Sequence, residues 1–212
     1  MHHTIINLVS IQNTLKTQKT NIIVVSKTFP MSEILPLIEH KQIHFGENKI
    51  QEAVEKWTKI KQDFKGIKLH MIGKLQTNKV KLAVSLFDYI HSLDNLKLAK
   101  KISEEQNKIK KSIKIFIQVN IGNEEQKNGI KIIDLDEFYK KCVSDFKLNV
   151  IGLMCLPPKD NDNHDYFLKM KNLAIKLNVQ ELSMGMSNDY LTAINNGATF
   201  IRIGSKIFGS RN

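Results

Sequence analysis

The sequence predicts an α/β fold, a single (β/α)8 TIM barrel, and three observations lead there. Short apolar runs alternate with segments of helical period eight times along the chain. At 212 residues and 42% hydrophobic the chain supports one sizeable core, with no Pro/Gly/Ser-rich stretch to split it, so residues 1–212 read as one domain. The runs Leu182-Ser183-Met184-Gly185-Met186-Ser187 and Phe200-Ile201-Arg202-Ile203-Gly204-Ser205 each lead into a small-residue turn opening a helix. Such turns form the phosphate cradle often found after strands seven and eight of such a barrel.

In chain order, a helix over 5–18 comes first, followed by strands near 21–26, 43–45, 68–72, 87–90, 113–119, 149–153, 180–183 and 199–203. Helices fall near 31–40, 47–63, 76–84, 94–111, 134–146, 162–178 and 187–196, with Ser32, Asp94, Asp134 and Ser187 as candidate caps. Only Ser205 to Asn212 follow the last strand. That is too short for a full closing helix, so the N-terminal helix is expected to cover the gap. An open doubly wound sheet is the alternative fold, and no fixed-period repeat suggests a solenoid.

The formal net charge is +11, from 32 Lys and Arg against 21 Asp and Glu. The lysines are scattered on amphipathic segments such as 97–111, mixed with Glu104 and Glu105, and no basic–aromatic motif accompanies them. A solvated surface explains them better than a nucleic-acid footprint. Cys142 and Cys155 lack CxxC spacing, so neither a disulfide framework nor a zinc site is indicated and a cytoplasmic setting is expected. Neither a signal peptide nor a membrane span is read from the chain. His2 and His3 are expected to diverge into solvent rather than pair on a metal.

Lys27 closes the apolar run Ile22-Ile23-Val24-Val25-Ser26. A half-desolvated lysine loses its proton near neutral pH and attacks aldehydes, whereas an ordinary strand-end lysine extends to water. In a closed barrel the end of strand one lies beside strand eight, which brings Lys27 to the two cradles. An amine and a phosphate grip on one small molecule suggest pyridoxal 5'-phosphate, with a sugar phosphate that merely pairs with Lys27 as the alternative. Ser187, Gly204 and Ser205 are the phosphate candidates and Arg202 projects beside them. Asn48, in His44-Phe45-Gly46-Glu47-Asn48, is placed to hydrogen-bond a ring substituent, with Glu47 a helix-start acid. In the turn from His70 to Lys79, Gly73 permits a close bend while Gln76, Asn78 and Lys79 line the rim or cap a helix. The polar loop Gln118 to Gly129 brings Lys127 near the mouth, and loops of that length are usually functional or mobile.

These motifs resemble the YggS/PROSC family of pyridoxal phosphate homeostasis proteins, itself similar to the barrel domain of bacterial alanine racemase. The resemblance rests on Val25-Ser26-Lys27-Thr28, Phe45-Gly46-Glu47-Asn48, His70 through Lys79, Ile117-Gln118-Val119-Asn120, Gly152-Leu153-Met154, Ser183 through Ser187, and Arg202-Ile203-Gly204-Ser205 with Phe208-Gly209. It implies a Schiff base on Lys27, phosphate contacts from Ser187, Gly204 and Ser205, Arg202 facing the pyridine nitrogen, and Asn48 and Met184 in the same cofactor-binding set. A guanidinium there disfavours the pyridinium form and weakens the ring as an electron sink. The chain departs from the family pattern at Lys74, where histidine is usual, at Gln126-Lys127-Asn128, where Ser-Lys-Ser or a variant is common, and in a shorter N-terminal region.

The resemblance implies a monomeric, non-catalytic carrier that masks the aldehyde as an imine and hands the cofactor to apo-enzymes; Lys127, from its place on the long loop, is a candidate second, transient amine for entry or exit of the cofactor. The competing readings are a racemase or decarboxylase using Lys27 as anchor and base, and a nucleic-acid module built on the +11 charge. No metal site, nucleic-acid partner or membrane is expected.

Overall fold

The computed structural model describes residues 1–15, 19–158 and 163–209. In chain order they form α1 (His3–Leu15), β1 (Asn21–Val25), α2 (Met31–Glu39), β2 (His44–Glu47), α3 (Ile50–Asp63), β3 (Lys68–Met71), α4 (Val80–Leu86), β4 (Tyr89–Leu93) and α5 (Leu96–Lys108). There follow β5 (Lys114–Val119), α6 (Leu135–Ser144), β6 (Asn149–Cys155), α7 (His164–Leu177), β7 (Glu181–Met186), α8 (Tyr190–Asn195), β8 (Phe200–Ile203) and α9 (Ser205–Phe208). The strands pair in parallel in sequence order, and the barrel closes through β1 on β8, with Asn21 opposite Phe200 and Val24 opposite Ile203. The sheet is a closed barrel and not the open alternative.

Two cores result. The larger lies between sheet and helices and includes Phe45, Trp57, Leu69, Phe87, Ile115, Leu153 and Met184. The smaller one, Ile23, Tyr89, Phe116, Met154 and Phe200, fills the barrel. Rings from strands that are not neighbours meet there, as with His70 of β3 and Phe200 of β8 at 5.7 Å between centroids. Alternation along each strand divides the two layers.

The N-terminal helix covers the seam as expected. α1 packs on α9 and α2, buries Leu8 and Ile11, and is tied to α9 by Asn7 Nδ2 donating to the Ile207 carbonyl at 2.9 Å. Residues 16–18 of the expected helix, 162 of the expected helix over 162–178, and 210–212 lie outside the described residues.

Boundaries moved mostly at the C-terminal ends of strands. The expected strand at 87–90 is Tyr89–Leu93, because Phe87 ends α4 and the polar pair His91-Ser92 continues the strand. β2, β6 and β7 likewise run two to three residues beyond their expected ends, to Glu47, Cys155 and Met186. Three expected caps change. Ser32 is inside α2, which starts after Pro30. Asn95, not Asp94, caps α5 by accepting from the Leu98 amide at 2.8 Å. α8 starts after Asp189, three residues later than expected, so Ser187 is not its cap. Asp134 does occupy the N-cap position of α6, with no side-chain hydrogen bond to its amides.

His2 and His3 do not diverge. Their rings sit 4.6 Å apart, and both face Glu33 from the start of α1, His3 Nε2 at 3.4 Å and His2 Nε2 at 4.0 Å. Helical turning at residue 3 folds the second ring back over α2. Together they form a group that could hold a metal ion. Cys142 and Cys155 are free and buried, and burial pushes both thiols up to about 12. No helix among the described residues is long and apolar enough to cross a membrane.

Candidate functional site

Lys27 sits in the turn after β1, half-buried, between two pinned neighbours. On one side Ser26 is buried: its amide donates to the Gly46 carbonyl at 3.1 Å, its hydroxyl to Glu47 Oε1 at 2.8 Å, and its carbonyl accepts from Lys56 Nζ at 2.8 Å. On the other, the Thr28 amide donates to Glu52 Oε1 at 2.5 Å from a left-handed backbone, φ 68°. Burial raises the Glu52 pKa, but the Lys56 hydrogen bond and the Thr28 amide together hold it below the usual carboxylate range. Ser26 therefore faces the helix layer, and the alternation that turns Ile23 into the barrel puts Lys27 on the interior side of the mouth.

Glu47 is not the helix-start acid expected from its position. It is the last residue of β2 and is fully buried, and α3 begins only at Ile50. Its Oε1 accepts from Ser26, from Trp57 Nε1 at 3.0 Å and from Lys56 Nζ at 2.9 Å. The carboxylate thus braces the Lys27 turn from behind. Asn48 follows, half-buried, and its Oδ1 is buried with no hydrogen-bond partner among the described atoms. Gly73 is pressed against the Asn48 backbone, where a Cβ would collide.

The two cradles meet. Ser187 is buried after β7, and its hydroxyl accepts from the Lys206 amide at 3.4 Å. Gly204 is buried after β8 beside Val25, and Ser205 is exposed. Gly185 bends the first loop with φ +87°, where a Cβ would lie 2.5 Å from Ala193 Cβ. Asp189, the residue before α8, accepts from the Met186 amide at 2.6 Å and so ties the end of β7 to the start of α8, without capping the helix amides. Met184 points the other way, into the sheet–helix core with no exposure. It can offer the mouth only its main chain.

Arg202 is buried on β8 and faces inward. Its Nη1 donates to Ser183 Oγ at 2.8 Å and its Nη2 to the Cys155 carbonyl at 2.9 Å. Burial lowers its pKa, with Cys155 and Asp189 acting the other way, and a guanidinium starts high enough to remain a cation. Lys74 is exposed on the rim. Lys127 pairs with Glu124 and donates to the Pro157 carbonyl at 3.1 Å. Its loop folds back on β5, with the Ile130 amide bonded to the Gln118 carbonyl at 2.8 Å, so this long segment is held in place.

Against this geometry the comparisons are specific. The family model for the alanine racemase N-terminal domain matches residues 3–212. A pyridoxal phosphate homeostasis protein of Haemophilus influenzae is 37% identical over 211 residues, covering 95% of this chain and 87% of the relative. The chain belongs to the pyridoxal phosphate homeostasis protein family. The solved structure of a fellow protein, PipY of Synechococcus elongatus with PLP bound, matches this family member at a TM-score of 0.89 and 31% identity, covering 97% of this chain and all of that one. An alanine racemase of Clostridium difficile shares the fold alone, at a TM-score of 0.77 and 14% identity over 99% of this chain and 57% of that one.

Motif reading passed over the brace formed by Glu47, Lys56 and Trp57, and gave no role to a line of interior polar residues, His44, His70, His91 and Ser183. A signal was present. Each has apolar neighbours in its strand, Phe45 beside His44, Leu69 and Met71 beside His70, Ile90 beside His91, and Leu182 and Met184 beside Ser183, the pattern of a polar side chain turned into the barrel between residues that face the helices.

Proposed function

We propose that this family member is a pyridoxal 5'-phosphate carrier of cofactor homeostasis, a single-barrel, monomeric, cytoplasmic protein that holds the cofactor on Lys27 and supplies it to apo-enzymes. The observation that carries the reading is the β1–β8 seam. It brings an interior lysine at the end of β1 next to the small-residue turns after β7 and β8, in a chain matched over 97% of its length by a PLP-bound structure.

The residues present fit the group. Ser187 Oγ with the main chain at Gly204 and Ser205 offers a small polar cradle for a phosphate. Asn48 Oδ1 is a buried acceptor lacking a donor among the described atoms, which a ring hydroxyl would supply. Arg202 is a buried cation on the same inner face, fitting it to meet the ring nitrogen with a donor and so to keep that nitrogen unprotonated. Met184 belongs to the set through its backbone. When bound, the cofactor supplies an electrophilic aldehyde and a ring that accepts electrons. Lys27 Nζ would hold the group at its aldehyde carbon through a covalent imine, formed with loss of water and reversed by water. The brace at Ser26 and Thr28 keeps the lysine stem aimed inward during capture and release.

The protein mixed with pyridoxal 5'-phosphate is expected to develop a visible imine band, and borohydride reduction followed by peptide mapping is expected to place the label on Lys27. Lys27→Ala is expected to lose band and label while retaining weak phosphate-dependent binding. Label scattered over surface lysines in the wild type overturns the assignment. A catalytic reading, racemase or decarboxylase, predicts solvent deuterium at Cα of amino acids above a cofactor-only control, and the carrier reading predicts none. In transfer, Lys127→Ala is expected to slow delivery to an apo-enzyme if that amine takes part; an unchanged rate removes it.

A further inference from the structure

A continuous hydrogen-bonded line runs through the barrel from Arg202. Arg202 Nη1 meets Ser183 Oγ at 2.8 Å, Ser183 Oγ meets His91 Nδ1 at 2.9 Å, His91 Nε2 meets His70 Nδ1 at 2.9 Å, and His70 Nε2 meets His44 Nδ1 at 2.9 Å. The residues come from β8, β7, β4, β3 and β2. His70, His91 and Ser183 have no exposure, while His44, the first residue of β2, is part-exposed at the end of the barrel opposite the mouth.

We propose that Ser183, His91, His70 and His44 are positioning residues for Arg202, forming a one-directional donor line whose direction is dictated by the guanidinium. The functional half of this inference rests on Arg202 facing the ring nitrogen; the direction of the line does not.

The direction follows from hydrogen counting. A guanidinium only donates, so Ser183 Oγ accepts from it, and the hydroxyl hydrogen goes to its other neighbour, His91 Nδ1. His91 must then carry its hydrogen on Nε2, which donates to His70 Nδ1. His70 in turn carries its hydrogen on Nε2 and donates to His44 Nδ1, leaving the His44 hydrogen on Nε2. Each imidazole needs one hydrogen, as the neutral form provides. Burial first, and then neighbouring charge, keep His70 and His91 well below the ordinary histidine range. In this direction every polar atom from Arg202 Nη1 to His44 Nδ1 is satisfied, and the last hydrogen lies on Nε2 of the part-exposed His44. In the reverse direction the Ser183 hydrogen would lose its acceptor in a dry interior, which costs free energy.

Packing locks the rings against a flip that would undo the order. His70 stacks on Tyr89 at 4.1 Å and 13°, His91 stacks on Phe116 at 4.2 Å and 21°, and Phe200 stands edge-on to His44 and His91. An apolar interior would fill this space without desolvating three imidazoles. A polar line that ends on the one arginine among the described residues instead fixes where its Nη1 stands, and the Cys155 carbonyl fixes Nη2.

The test uses the full-length protein without cofactor, labelled with 15N in histidine. Two-bond 1H–15N spectra at pH 7 are expected to show His70 and His91 both protonated at Nε2 and bare at Nδ1; a protonated Nδ1 on either ring, or a mixture, overturns the direction. Ser183→Ala is expected to release His91 into a mixture of tautomers, and Ser183→Thr, which keeps a hydroxyl, to restore the single one. With pyridoxal 5'-phosphate added, Ser183→Ala is expected to weaken retention about tenfold, the scale of one charge-assisted hydrogen bond, and Ser183→Thr to recover it. Unaltered tautomers in Ser183→Ala, or unaltered retention in a protein that binds the cofactor, overturn the positioning role. Absence of cofactor binding to the wild type would fail the carrier reading while leaving the tautomer result to stand.

Discussion

At Glu47 one carboxylate oxygen, fully out of water, accepts from a hydroxyl, an indole and an ammonium. Such a group is tolerated because its donors replace water, and removing the cation leaves the charge uncompensated. Lys56 is the cation, its side chain 14% exposed, and it also holds the Ser26 carbonyl and Glu52. Lys56→Met is therefore expected to cost about 3 kcal/mol in urea unfolding, near the low end for breaking a buried pair, and to lower the yield of labelled Lys27. Equal stability in the variant would contradict the brace. Sequence placed Glu47 at a helix start because the helical period reads from residue 47; the partners that reverse the reading are 9 to 21 residues away.

At the scale of elements, α1 is the piece that a barrel with a four-residue α9 needs. Its contribution is concentrated on one face. Leu8 is fully buried while Ile6 on the same helix is 53% exposed. Leu8→Ala is expected to lower stability by about 3 kcal/mol and Ile6→Ala by less than about 0.5 kcal/mol, both read from denaturant midpoints. Similar costs at both positions would mean that α1 does not dock by this face. The strand ends were the elements least legible in sequence. β4 continues past the apolar run because His91 turns into the barrel and bonds His70, and a one-dimensional pattern scores the polar pair His91-Ser92 as loop.

For the whole molecule, a barrel lined by neutral histidines is sensitive to acid. Burial, then Lys68 and Lys114, with Asp88 opposing, lowers His44 to about 4, and burial first, then neighbouring charge, holds His70 and His91 well below the ordinary histidine range. The unfolded chain takes up protons at these positions below about pH 6.5, where free histidine titrates, and the fold does not. Stability is thus complete above that pH and falls as the pH drops below it, the His44 part of the loss running down to about 4. The urea midpoint is expected to fall between pH 7 and 5, and less steeply in His44→Phe. A level midpoint over that range would show that the interior histidines are not held neutral.

The sequence by itself determined the eightfold β/α alternation, the lysine at the end of β1 and the two small-residue turns at the end of the chain. Each is a local pattern of hydrophobic period or turn chemistry, readable within a dozen residues. Only the tertiary structure decided the register of β1 on β8, that Met184 faces away from the mouth while Ser183 and Arg202 face each other, and that histidines from β2, β3 and β4 join into one line to the arginine. Those relations depend on strand register and barrel closure. A shift of one residue in either would turn every one of these side chains to the opposite face.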